Sequence, residues 1–154
     1  LIRLLVLLLA FATSAAACEP PAGLVALRAE LLVLTNVERA ATGAVALTRD
    51  VRLEAAAQIQ ACRTADRERL SHRGRWFAGL ARRLRREGYP YAMAVENLAV
   101  GQTTAAEVTA AWMASPEHRR NTLDTRARNA GFGLAMTNDG LLHWSMIAAA
   151  PRPD

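Results

Sequence analysis

The chain has 154 residues, the length of one domain with at most a short tail, which excludes a two-domain enzyme. Hydrophobic residues make up 52% and charged residues 21%, so the chain is not disordered and can build its own core. The formal charge is +5 and all 19 basic residues are arginine; read along the whole chain they alternate with acids and do not interleave with aromatics, which argues against a nucleic-acid partner.

Residues 1–17 read LIRLLVLLLAFATSAAA: an arginine, an apolar run, then small residues with an A-x-A cleavage pattern. This is the make-up of a secretory signal peptide. The run is shorter than the roughly 20 residues a membrane span requires, and no other stretch approaches that length. The expected product is a soluble, monomeric single domain over residues 18–154, located outside the cytoplasm. It would keep two cysteines, Cys18 and Cys62. In an oxidising compartment they are expected to pair, closing a loop worth about 4 kcal/mol in the chain-entropy account. The alternative is lipidation of Cys18 directly after the small residues.

Leu24, Leu27, Leu31 and Leu34 recur at helical spacing up to Gly43, which predicts a first helix. A second starts after Asp50 as its cap and runs through Leu53, Ala55–Ala57, Ile59 and Cys62 to about Leu70. Trp76, Leu80 and Leu84 mark a third, ending at Gly88. Its run Arg82-Arg83-Leu84-Arg85-Arg86 reads as a solvated helix face. The stretch from Ala92 to Gly101, apolar around Glu96, is a short buried strand or an extended loop.

Thr104 and Glu107 have capping-box spacing and open a fourth helix, leaving Glu107 a capping role. Ser115-Pro116-Glu117-His118 has the pattern of a fresh helix start, with Ser115 as cap and Pro116 first. Finally Phe132, Leu134 and Met136, then Asn138-Asp139-Gly140, then Leu142, Trp144 and Met146 describe a β-hairpin. His143 alternates with Leu142 and Trp144 and is expected to face solvent, while Trp76, Trp112 and Trp144 fall at core positions. Helices flanking a small antiparallel sheet make an α+β sandwich.

Glu96 carries the most chemical information. A lone carboxylate among apolar neighbours is costly to bury unless a cation or hydrogen-bond donors meet it. His72 lies in a loop after the second helix, and His118 lies in the first turn of a short one. Ser71-His72, Glu96-Asn97-Leu98-Ala99-Val100-Gly101, the Trp112–Arg119 segment, Gly131-Phe132-Gly133 and Asn36-Val37-Glu38-Arg39-Ala40 occur in an order and spacing that resemble the CAP superfamily. That group comprises the cysteine-rich secretory, antigen 5 and pathogenesis-related 1 proteins, here in its bacterial SCP-like branch.

The resemblance implies an α-β-α sandwich with a cleft to which His72, Glu96 and His118 correspond, with Ser115 in the fourth place and Glu117 beside it. Valine at position 95 replaces the glycine usual before the Glu-Asn pair. The two histidines, His72 and His118, are the implied ligands for a divalent metal such as zinc. The function implied is a secreted or envelope-associated module for a lipid, sterol or other extracellular ligand. The alternative is a metal-dependent hydrolase or peptidase with Glu96 as general base. Neither a nucleophile motif nor an H-E-x-x-H zinc motif is present, which argues against an enzyme. Arg119 and Arg120 lie where they could draw an acidic ligand toward the cleft, or simply form a surface face.

Overall fold

A computed structural model describes Cys18, residues 20–67 and residues 76–153. The expected signal segment 1–17 and His72 lie outside the described residues. The elements are α1 (Leu24–Ala40), β1 (Thr48–Arg49), α2 (Val51–Arg67), α3 (Trp76–Arg86), β2 (Tyr91–Val100), α4 (Ala105–Ala114), α5 (Pro116–Thr122), β3 (Asn129–Met136) and β4 (Leu142–Pro151). Strand order is β1-β3-β4-β2. The stretch left open between strand and loop is thus a full strand, antiparallel to β4, and β3 and β4 form the expected hairpin. The sheet is not purely antiparallel: β1, two residues long and without a periodic signal of its own, joins β3 in parallel.

Local chemistry explains most boundaries. Gly43 adopts φ 74° beyond α1, where a side chain would be strained. Asp50 Oδ1 accepts from the Arg52 and Leu53 amides at 2.9 and 3.4 Å and caps α2. Thr104 Oγ1 accepts from the Glu107 amide at 3.1 Å, and Glu107 Oε2 accepts in return from the amide and hydroxyl of Thr103 at 2.8 and 2.9 Å. This is a capping box displaced by one residue. Ser115 occupies the cap position of α5 with Pro116 behind it, but its side chain makes no capping bond. The expectation of a side-chain cap fails there, and Pro116, which has no amide to satisfy, opens the helix.

Alternation along β4 gives the sheet two different faces. Trp144, Met146 and Ala148 point toward α1 and α4 and pack with Leu31, Val108, Trp112, Phe132 and Leu134. Ile147 and Ala149 point toward α2 and α3 and pack with Leu53, Ala56, Ala57, Leu80, Leu84 and Tyr89. Trp112 and Trp144 are buried as expected, and their indole N–H groups donate to the carbonyls of Leu98 and Gln102 at 3.3 and 2.9 Å. The Trp76 side chain lies outside the described residues. His143 corrects the sequence reading: it is only 1% exposed. β4 lies between β3 and β2 with helices over both faces, so neither of its sides is wet.

The glycines of Gly131-Phe132-Gly133 have a steric cause. A Cβ on Gly131 would stand 2.2 Å from the Glu54 amide nitrogen, and one on Gly133 would stand 2.4 Å from the Ala57 carbonyl carbon. Only hydrogen fits where α2 crosses β3. Polar groups on α1 do comparable work on the following loops. The Asn36 side-chain amide pairs with both backbone groups of Leu47, at 3.0 and 2.7 Å. Fully buried Arg39 donates to the carbonyls of Val45, Thr122 and Asp124 at 2.8, 2.8 and 3.0 Å. That stations α5 beside the sheet.

Candidate functional site

The site is built around β2, which meets α3 through Glu96 and α5 through Asn97. Glu96 lies on β2, across from Ile147 and diagonal to Ser145, on the α2/α3 face. Its side chain is 5% exposed, and the cation that burial demands comes from α3: Arg83, itself 4% exposed, forms an ion pair through Nη2 and Glu96 Oε1. Arg83 Nη1 donates onward to Gln60 Oε1 of α2 at 2.7 Å, so one guanidinium ties α2, α3 and β2 together. Arg83 therefore departs from the solvated face expected of its run. It stands three residues after Leu80 and beside Leu84, both buried, which places it on the inward stripe of the helix.

Burial pushes the Glu96 carboxyl above its ordinary value. The neighbouring Arg83 and Arg63 guanidinium groups oppose that rise, and so does the Ser145 hydroxyl, although it completes no hydrogen bond of good geometry. The pair is closed and dry, with the charge of the carboxylate answered within the fold.

The next residue, Asn97, turns to the other face and anchors α5. Its amide donates to the His118 carbonyl at 2.9 Å and to Thr122 Oγ1 at 3.0 Å. Asn121 closes the junction by donating to Asn97 Oδ1 at 2.9 Å and to the Glu96 carbonyl at 3.3 Å. His118 is thereby held on a helix whose anchor is adjacent in sequence to Glu96. Its imidazole is half-buried, whereas Glu117 is exposed and Ser115 is half-buried at the α4–α5 joint. The sequence-predicted set divides accordingly. The Glu96 side chain turns to the α2/α3 side while His118 stands on α5, anchored from Asn97 on the other side; Ser115 and Glu117 lie at the start of α5, and His72 lies outside the described residues.

Glu96 does not fit as a ligand in this arrangement, since a metal would have to displace a guanidinium that is itself buried. Among the described residues no three His, Cys, Asp or Glu side chains converge on one point. Sequence reasoning missed Arg83, Gln60, Asn121 and Ser145. For Arg83 the helical spacing from Leu80 was the available signal, and for the others none was.

Cys18 and Cys62 form a disulfide across 44 residues of sequence. Cys62 lies on α2, so the bridge pins the segment before α1 to that helix, and with both thiols consumed Cys18 offers none for acylation. No helix among the described residues is long and apolar enough to cross a membrane.

The family model described as the cysteine-rich secretory protein family (CAP) matches residues 32–147. The uncharacterized protein YkwD of Bacillus subtilis is 31% identical over 113 residues, which is 73% of this chain and 44% of that protein. This chain thus spans less than half of the curated relative it matches. In fold it is similar to an outer surface protein of Borrelia burgdorferi, with TM-score 0.72 and 19% identity over 80% of this chain and 92% of that one. It is similar also to an extracellular SCP-domain protein of Bacillus anthracis, with TM-score 0.67 and 23% identity over 80% and 40%.

Proposed function

Because the chain belongs to the cysteine-rich secretory protein family, we propose that it is an exported binding module, working at the cell envelope or beyond it, and not a metal-dependent hydrolase. The observation that carries this reading is the buried Arg83–Glu96 ion pair. A general base needs a carboxylate free to take a proton from water within hydrogen-bond reach. Glu96 is instead enclosed and committed to the buried Arg83 guanidinium. The carboxylate then serves as a joint: through the Glu96-Asn97 pair it holds α3 on one face and α5 on the other. Ligand recognition falls to the rim of that joint, where His118, Glu117 and Ser115 reach the surface.

The disulfide supports an oxidising location, and the apolar run of residues 4–12 is in keeping with export. The test is calorimetric titration of zinc into the disulfide-bonded protein, the Glu96→Gln variant and the His118→Ala variant. The expected result is that Glu96→Gln leaves any zinc binding within about twofold of wild type. One-to-one binding that Glu96→Gln abolishes while the variant stays folded would overturn the reading and restore the hydrolase.

A further inference from the structure

The arginines are interspersed only on average. Nine of the 19 arginines and two of the 14 acids, Asp66 and Glu68, fall within residues 63–86. That stretch carries a formal +7 while the rest of the chain carries −2. Within it α3 has no acid at all. Of its four arginines, Arg83 turns inward to Glu96, and Arg82, Arg85 and Arg86 are exposed. At spacings of three and four these three share the outward side of the helix. Among the described residues their one acidic contact is between Arg86 and Glu87, at 3.8 Å and with the Arg86 side chain 75% exposed. A surface ion pair of that kind is worth little.

Two bland explanations cover part of this. Cations in a last turn complement the helix dipole, yet that effect fades within one turn, and Arg82 lies a full turn before the end of α3. Arginines also keep a surface soluble, but solubility does not require three of them on one side of a helix that carries no acid.

We propose that the outward face of α3 docks the protein on an anionic lipid bilayer. Side chains fanned over a convex helix do not converge on a single anion, so their complement is an extended plane of negative charge. The apolar side of α3 is spent on the core through Leu80 and Leu84. Contact is therefore at headgroup level, reversible and screened by salt, without insertion. The disulfide places the protein where nucleic acid is not the polyanion at hand. The surface lies apart from the rim of α5 and does not depend on the reading given to it.

The test is co-sedimentation of the disulfide-bonded protein with vesicles of phosphatidylcholine alone or mixed equally with phosphatidylglycerol, at low and at molar salt. Wild type is expected to bind only the mixed vesicles and to be released by salt. Each of Arg82→Gln, Arg85→Gln and Arg86→Gln is expected to lower partitioning about fivefold, and the triple variant about a hundredfold. A triple control, Arg119→Gln with Arg120→Gln and Arg152→Gln, removes the same charge from exposed sites elsewhere and is expected to stay within about threefold of wild type. All six positions are exposed, and unchanged melting temperatures confirm folding. Absent binding, equal binding to neutral vesicles, or an equal loss in the control would overturn the proposal. So would binding of soluble polyphosphate through Arg82, Arg85 and Arg86 with no binding to vesicles.

Discussion

The side of the sheet under α1 and α4 is filled with large apolar groups, Trp112, Phe132, Trp144 and Met146, whereas the side under α2 and α3 sets its apolar cluster of Leu53, Leu80, Leu84, Tyr89 and Ile147 beside close-packed glycines and a buried ion pair. Gly131 and Gly133 let α2 lie against β3. Farther along the same side, Arg83, Glu96, Ser145 and His143 are all buried. The first side gains stability from area removed from water, which tolerates imperfect geometry. The second depends on close neutralisation and close approach, which do not. The buried ion pair thus lies on the face of the sheet covered by α3, the helix that also presents exposed arginines.

Substitutions can break this contrast. Arg83→Met leaves Glu96 buried without its cation and is expected to cost about 3–5 kcal/mol in urea unfolding. Trp112→Ala on the opposite side should cost a similar amount by another route, through lost area and a cavity. The two differ in rescue: adding Glu96→Leu to Arg83→Met should recover most of the loss, whereas no polar substitution near Trp112 should. Gly131→Ala forces a methyl into the α2 backbone and is expected to cost about 1–3 kcal/mol. The equivalent change at Gly140, where nothing lies within 4 Å of an added Cβ, should act only through its positive φ and cost about 1 kcal/mol.

The smallest expected effect is a slope. Burial holds the His143 imidazole below its ordinary 6.5, with Asp139 opposing that fall, and among the described residues neither ring nitrogen has a hydrogen-bond partner. The unfolded chain then takes up the proton first on acidification, so stability falls as pH drops through the unfolded value and on toward the folded one. Glu96 acts in the opposite sense. Burial raises its carboxyl above 4.5, so its contribution is fully present below that value and declines as pH rises through the folded one. Urea unfolding between about pH 7 and 5 should show a loss of stability in wild type that His143→Leu flattens or reverses.

Much of the fold was legible because its helices carry caps, glycine stops and leucine spacing, and because the β3–β4 hairpin has an Asp-Gly turn between alternating segments. What escaped was whatever depends on neighbours distant in sequence. β1 is two residues with no pattern, recruited by β3. His143 reads as solvent-facing until α2 and α3 are known to cover that face of β4. The nearly unbroken apolar run of β4 was the available sign of a strand buried on both faces. At the site, Glu96 announced its need for a cation through its apolar surroundings, and the family motifs located it. The partner stayed hidden because four arginines in a row of five look alike, and only one of them lies on the leucine stripe.

The account rests on Glu96 being committed to Arg83, and a double-mutant cycle tests that directly. Arg83→Met, Glu96→Leu and the pair would be unfolded in urea at about pH 7 alongside wild type. The predicted result is a coupling energy of about 2–3 kcal/mol, with the double variant far more stable than the sum of its parts implies. Losses that add within about 0.5 kcal/mol would mean the two groups act independently, and would contradict the claim that this carboxylate is a joint of the fold.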